Sequence, residues 1–215
     1  MSEKHKEEFE MKIACYAAGS VGTNNYVVSD DHGITCIIDC DGPIQPLLNY
    51  IAQNNLKVTH ILLTHGHYDH VGSVNELSEK LGAKIVGGAQ EMPVFTDPAL
   101  NVSQFVGAPI IVHPDELVNE GDVVKVGDME FKVMLTPGHT QGSICFIEKD
   151  VIFSGDTLFQ GSCGRTDLPT GDWNAIRLSL KRLAALPGDY KVYSGHGPAT
   201  TMEYERKHNP YMRKK

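Results

Sequence analysis

Long apolar runs are missing from this 215-residue chain, and so is any excess of positive charge. No segment approaches the roughly 20 consecutive apolar residues that a helix needs to span a bilayer. Met1 to Lys12 is rich in Lys, Glu and His and has no apolar stretch of the kind a secretory leader carries. A membrane partner is therefore not expected. Lys and Arg number 19 against 27 Asp and Glu, a formal charge of -8. Nucleic-acid binding leans on clustered cations, so no nucleic-acid partner is expected either. Cysteine is sparse as well: Cys15, Cys36, Cys40, Cys145 and Cys163 are odd in number and form no C-x-x-C pair. That excludes the even, closely spaced framework of a disulfide scaffold and favours a reduced, cytoplasmic protein.

What is present is ordinary globular composition, 41% hydrophobic and 21% charged residues, in a length suited to one domain over residues 1–215. Apolar and β-branched residues predict strands at Met11 to Ala17 and Asn25 to Ser29, and the turn Asp30-Asp31-His32-Gly33 leads from the second into a strand at Ile34 to Asp39. Leu47, Leu48 and Ile51 recur at helical spacing after the Asp41-Gly42-Pro43 break. A short strand, His60 to Leu63, runs into a His-rich segment. Ser73-Val74-Asn75-Glu76 then has the form of a capping box opening a helix that ends at Gly82. Lys84 to Val86 reads as a strand, whereas Pro93, Pro98, Pro109 and Pro114 make residues 90–120 read as a lid or an irregular connection. Strands return at Asp122 to Val126, Glu130 to Leu135, Ser143 to Glu148, Val151 to Ser154 and Lys191 to Ser194, with an amphipathic helix at Trp173 to Leu186. Strand groups each followed by helices predict an α+β fold, two sheets covered on both outer faces by helices in a four-layer αββα sandwich.

The chemistry concentrates in Thr64-His65-Gly66-His67-Tyr68-Asp69-His70. Neutral imidazole and carboxylate are the ligands that zinc, iron and manganese accept. On an extended backbone His65 and His67 point the same way and suit one ion. Asp69 and His70, at a turn into a helix, can face a second. Three more segments set a single ligand-type residue in a small-residue loop just after a strand: His139 in Thr136-Pro137-Gly138-His139-Thr140, Asp156 in Ser154-Gly155-Asp156-Thr157, and His196 in Ser194-Gly195-His196-Gly197. Glycines there let backbone and ligand approach closely.

This series, T-H-x-H-x-D-H, P-G-H-T, G-D-T-L-F and S-G-H-G, resembles the metallo-β-lactamase superfamily from Met11 to about His208, and most of all its short prokaryotic glyoxalase II-like branch. The resemblance implies a hydrolase of small thioesters, such as S-lactoylglutathione, that uses a hydroxide shared by two divalent ions. It gives His65, His67 and His139 to the first ion, Asp69, His70 and His196 to the second, and Asp156 to both. Asp69 would also orient the hydroxide. Zinc is the first expectation for the metal, with iron and manganese suited to the same donors. The zinc β-lactamases generally carry Cys or Ser where Asp156 stands, so antibiotic hydrolysis is not expected.

The chain departs from the branch at the residues that contact glutathione. A family Lys and Tyr are matched by Arg165 and Asp167, and the tyrosine expected after the last histidine is absent from Gly195-His196-Gly197-Pro198. Arg165 is the expected contact for a substrate carboxylate, with a salt-bridged turn through Asp167 as its structural alternative. Two other activities on the same scaffold are compatible with the motifs. One is a persulfide dioxygenase, with one iron on His65, His139 and Asp156; the other is a phosphodiesterase, which the net charge disfavours. Cys163 and Trp173 are expected to pack, His60 to sit at a strand edge, and His5, His32, His113 and His208 to be solvated.

Overall fold

A computed structural model describes residues 10–213, so His5 lies outside the described residues. The first half runs β1 (Lys12–Ala18), β2 (Thr23–Ser29), β3 (Ile34–Ile38), α1 (Gln45–Gln53), β4 (Lys57–Leu62), α2 (Tyr68–Val71), α3 (Val74–Leu81) and β5 (Lys84–Gly88). It closes with α4 (Met92–Thr96), α5 (Ser103–Val106) and β6 (Glu116–Val118). The six strands form one sheet in sequence order, antiparallel from β1 to β3 and parallel from β3 to β6. The second half runs β7 (Val123–Val126), β8 (Met129–Leu135), β9 (Ile144–Glu148), β10 (Val151–Gly155), the small β11 (Leu158–Phe159) and β12 (Ser162–Cys163), then α6 (Trp173–Ala184), β13 (Lys191–Ser194), β14 (Thr200–Thr201) and α7 (Met202–His208). Its sheet has the order β14-β13-β10-β9-β8-β7, and β11 with β12 form a separate hairpin.

Side-chain alternation along the strands makes the four layers. Tyr26, Val28, Cys36, Ile38, Leu62 and Val86 meet Phe131, Val133, Phe146 and Phe153 between the sheets. The intervening residues Val27, Ile37, Ile61 and Ile85 face outward onto Leu47 and Ile51 of α1 and Val74 and Leu77 of α3. Met134, Cys145, Ile152 and Val192 do the same against Ile176, Leu180 and Leu183 of α6 and Met202 of α7. The central strands are thus buried on both faces, as helix-covered sheets require, whereas β1, β6 and β7 at the sheet edges keep exposed positions. The αββα arrangement expected from the sequence is the observed fold.

Local expectations need correction in four places. Ser73 precedes α3, but its side chain caps nothing: Oγ donates to the Gly42 carbonyl at 2.6 Å, so the Ser-x-x-Glu pattern is not a capping box here. Residues 90–120 are more regular than expected, with α4, α5 and β6 set within them and irregular chain left at 107–115. Pro93 starts α4, where a missing N–H costs nothing, and β6 pairs in parallel with β5. Trp173 is 45% exposed and packs edge-on against Tyr211 rather than into the core. Finally, α7 had no counterpart in the sequence reading. Among the described residues no helix is long and apolar enough to cross a membrane.

Candidate metal centre

Every proposed ligand leaves the same edge of the sandwich, just past a strand end: the His65–His70 segment after β4, His139 after β8, Asp156 after β10 and His196 after β13. Two backbone links pin these loops together across the two sheets. Ile144 N–H donates to Thr64 O at 2.9 Å, and Asn24 N–H donates to Gly195 O at 2.8 Å, the bond that makes Thr23 and His196 an antiparallel bridge. His67 is extended (φ -62°, ψ 148°) and α2 begins directly after it, so Asp69 and His70 turn away from the H-x-H pair as anticipated. Gly195 permits a close approach. A Cβ there would lie 2.2 Å from Asp156 Oδ1 and 2.6 Å from His70 Cε1.

All seven predicted metal ligands come together. His65, His67 and His139 converge as one set, and Asp69, His70 and His196 as another, each with ligand atoms within 4.8 Å of one another. His67 Nδ1 is 2.9 Å from His139 Nε2, and His70 Nε2 is 3.4 Å from His196 Nε2. Asp156 touches both sets: Oδ1 is 3.2 Å from His70 Nε2, and Oδ2 is 3.5 Å from His139 Nε2 and 3.6 Å from His196 Nε2. Asp69 Oδ2 lies 3.2 Å from His196 Nε2 and also accepts from Thr23 Oγ1 at 3.4 Å. His196 is the most open of the seven, its side chain 25% exposed, so the centre is reached from its side.

Two of the histidines have their outer nitrogen committed. His139 Nδ1 meets the Arg165 carbonyl oxygen at 2.8 Å, which can only accept, so the proton sits on Nδ1 and Nε2 presents a lone pair inward. His70 Nδ1 meets Asp39 Oδ2 at 2.7 Å, and the same logic turns its Nε2 inward. The buried atoms His65 Nε2, His67 Nε2 and Asp156 Oδ1 have no hydrogen-bond partner, the 3.2 Å approach of Asp156 Oδ1 to His70 lacking hydrogen-bond geometry. Buried polar atoms left without partners cost about 1–3 kcal/mol each. The lone pairs and carboxylate oxygens that converge there, among them His67 Nδ1 beside His139 Nε2, fit divalent cations.

The electrostatics of the side chains agree. Burial drives His65 well below 6.5 and His67 down to about 3, helped by neighbouring histidines, so both are neutral ligands at pH 7. Burial works against the ionised carboxylates, but His70 outweighs it and holds Asp156 and Asp69 below the usual range. Burial likewise opposes a charge on His70, yet Asp156, Asp39 and Asp69 together carry it well above 6.5. The site therefore calls for positive charge beside its carboxylates, which a bound cation would supply in place of the proton.

Three supporting residues escaped the sequence reading. Asp39 accepts from Thr64 N at 2.8 Å, Thr64 Oγ1 at 2.6 Å and His70 Nδ1. Glu91, fully buried, accepts from Gly66 N with Oε1 and Gly142 N with Oε2, both at 2.8 Å, and so joins the H-x-H loop to the loop after His139. Asn24 donates to the carbonyls of Ser194 and Gly197 on either side of His196, both at 2.9 Å. Only Asp39 carried a signal, as a carboxylate closing a strand that otherwise reads as fully buried. Arg165 takes up the salt-bridged turn with Asp167, the alternative to a free substrate contact. Its guanidinium is occupied by a bidentate pair with Asp167, two hydrogen bonds of 2.7 Å on the surface, while its backbone carbonyl is what reaches the centre. Cys163 packs against the outer core below β10, and burial pushes its thiol up to about 11, which suits packing rather than reactivity. His60 lies part-buried in β4 beside Thr59, and His32, His113 and His208 are exposed.

Residues 18–196 match the family described as the metallo-beta-lactamase superfamily. The chain is 37% identical to the hydroxyacylglutathione hydrolase GloC of Haemophilus influenzae, over 95% of this chain and all of that one. Among solved structures it is similar to the B3 metallo-beta-lactamase BLEG-1 (TM-score 0.88, 35% identity, 94% of this chain and 99% of that one). It is also similar to TTHA1623 in a di-iron-bound form (TM-score 0.82, 35% identity, 92% and 99%) and to ETHE1 of Myxococcus xanthus (TM-score 0.77, 30% identity, 93% and 83%). The chain belongs to the metallo-β-lactamase superfamily, a family of metal-dependent hydrolases.

Proposed function

We propose that this member of the metallo-β-lactamase superfamily is a cytoplasmic hydrolase of small acyl thioesters that works with two divalent ions, zinc before iron or manganese. One observation carries the reading: a complete second ligand set, Asp69, His70 and His196, stands beside the first, and Asp156 faces both. The likeness to a hydroxyacylglutathione hydrolase over the whole chain supports the thioester class. Divalent ions held there would lower the pKa of water towards neutrality and polarise the substrate carbonyl.

The chain's own residues set up that reaction. His65, His67 and His139 would hold the first ion, and Asp69, His70 and His196 the second. Asp69 also orients the attacking water through the oxygen it turns towards His196. The Arg165 carbonyl and the Asp39 carboxylate fix the rings of His139 and His70, so that ligand geometry is set before substrate arrives. Arg165 meets a carboxylate on the substrate by exchanging it for Asp167, a swap of one bidentate partner for another at an exposed site.

Metal analysis beside S-lactoylglutathione turnover tests the proposal. Two ions per chain, turnover, and its loss in Asp69→Ala are expected; a metal-free protein, or full activity in that variant, would sink it. A second reading, persulfide dioxygenation at one iron on His65, His139 and Asp156, is favoured by the similarity to ETHE1. Oxygen uptake with glutathione persulfide at one iron per chain would decide for it. Turnover of a chromogenic β-lactam faster than any thioester would overturn both.

A further inference from the structure

The last helix reaches the metal centre without touching it. Glu205 of α7 is fully buried, and all of its partners are donors. Its Oε2 accepts from Gly161 N–H at 2.9 Å and from Asn209 Nδ2 at 2.7 Å, while Oε1 accepts from Thr200 Oγ1 at 2.6 Å. Asn209, also fully buried, donates in addition to the Ser162 carbonyl at 2.9 Å. Two arms therefore meet on one carboxylate. The first is the β11–β12 hairpin, gripped at its turn by Gly161 and Ser162. The second is β14, which pairs Thr200 with Val192 of β13, the strand that delivers His196.

The gripped hairpin is bounded by ligands. Asp156 precedes it, and Gly164 follows it so tightly that a Cβ there would lie 1.9 Å from the Asp156 carbonyl oxygen. The next residue, Arg165, holds His139 Nδ1 on its carbonyl. Phe159, within the hairpin, sets its ring edge-on to His196, centroids 6.1 Å apart. A helix could be docked at lower cost by an apolar side chain, since burying a carboxylate away from any cation is unfavourable unless its oxygens are fully met.

We propose that Glu205, supported by Asn209, is a positioning residue for the metal centre, fixing the separation between the hairpin that orients Asp156 and His139 and the loop that carries His196. The inference rests on the metal centre of the reading above and not on its substrate.

Two variants of the full-length, metal-loaded protein test it, with zinc affinity measured by competition against a chromophoric chelator and geometry read from the absorption spectrum of the cobalt form. Glu205→Ala, folded by circular dichroism, is expected to lose zinc affinity about 10-fold or more, the range for partners that orient ligands, and to shift the cobalt bands. Glu205→Gln is expected to behave as wild type. Its amide oxygen can accept from Gly161 and Asn209, and its amide N–H can donate to Thr200 Oγ1, which then serves as the acceptor. Wild-type affinity and spectrum in Glu205→Ala, or equal damage in Glu205→Gln, would overturn the proposal. Should Glu205→Ala not fold, Thr200→Val breaks the His196 arm alone; shifted cobalt bands support the proposal, and an unchanged spectrum overturns it. Neither readout depends on thioester turnover, so a wrong substrate class would leave the result standing.

Discussion

Glu91 gives the most quantitative test of the site's architecture. Its carboxyl is fully buried, and burial pushes its pKa up from 4.5 to about 7, even though Gly66 and Gly142 donate to it. Between those two pH values the native protein holds a proton that the unfolded chain has released. Stability should therefore be highest below pH 4.5 on this account and fall as pH rises, the loss being complete above pH 7. A shift of about 2.5 units at ~1.36 kcal/mol each corresponds to a loss on the order of 3 kcal/mol across the window. Glu91→Gln cannot titrate. Whatever it costs by setting an amide N–H against a backbone N–H is the same at every pH. The assay is urea unfolding of both metal-free proteins at half-unit steps from pH 4.5 to 8. The histidines and aspartates of the centre titrate in both and cancel, since none of them is among the groups that perturb Glu91. The stability of wild type minus that of Glu91→Gln should fall by about 3 kcal/mol with a midpoint between the two pKa values. A difference flat to within ~0.5 kcal/mol, the limit of additivity, would mean that the two backbone donors outweigh burial and keep Glu91 ionised throughout.

The other predictions concern the ligand shell. Asp39→Ala leaves the buried His70 Nδ1–H and Thr64 N–H without acceptors; a stability loss of about 2–4 kcal/mol and a ~10–100-fold drop in zinc affinity are expected, by urea titration and chelator competition. Gly195→Ala drives a methyl to 2.2 Å from Asp156 Oδ1, so a folded protein with a disrupted second set is expected, visible as one zinc per chain or fewer in elemental analysis. Stripping metal with a chelator leaves the unpaired atoms of His65 and Asp156 without a partner; at zinc about 1,000-fold above its Kd the loaded protein should be ~4 kcal/mol more stable than the stripped one, and equal melting temperatures would argue against a bound ion.

The sequence was most informative where chemistry and backbone pattern coincide. Four ligand-type residues in six positions after an apolar strand are hard to place anywhere but a metal site, and His139, Asp156 and His196 each repeat the arrangement of strand, small residue and ligand. The layered fold was legible for a related reason. Strands buried on both faces read as near-continuous apolar runs, and the helices between them keep a clean apolar stripe. What stayed hidden was long-range. Nothing near Glu91 in the chain announces that it will be wholly buried, because its partners lie 25 and 51 residues away; the partners of Glu205 lie 4 to 44 residues away, the farthest in the β11–β12 hairpin. The α7 helix did carry a local signal that went unread: Thr201 caps Tyr204 N–H, acidic Glu203 and Glu205 follow in the first turn, and Arg206, Lys207 and His208 close the last. Ser73 shows the converse, a capping pattern whose hydroxyl was claimed by a carbonyl brought near in the fold.

Those distant carboxylates also explain how a seven-residue centre split between two sheets is held together. His65, His67, Asp69 and His70 ride on the first sheet, whereas His139, Asp156 and His196 ride on the second. Apolar packing between sheets sets their spacing but tolerates sliding, because dispersion contacts have no direction. Directional contacts remove that freedom. Glu91 ties the H-x-H loop to the loop after His139, Asn24 ties β2 to the His196 loop, and Thr64 pairs its carbonyl with Ile144. Each of these links uses a buried backbone group at a strand end, where the sheet ladders stop and donors and acceptors are left to be met. The same strand ends that expose backbone for these ties also release the ligands, so registering the two sheets and assembling the metal site are one structural event.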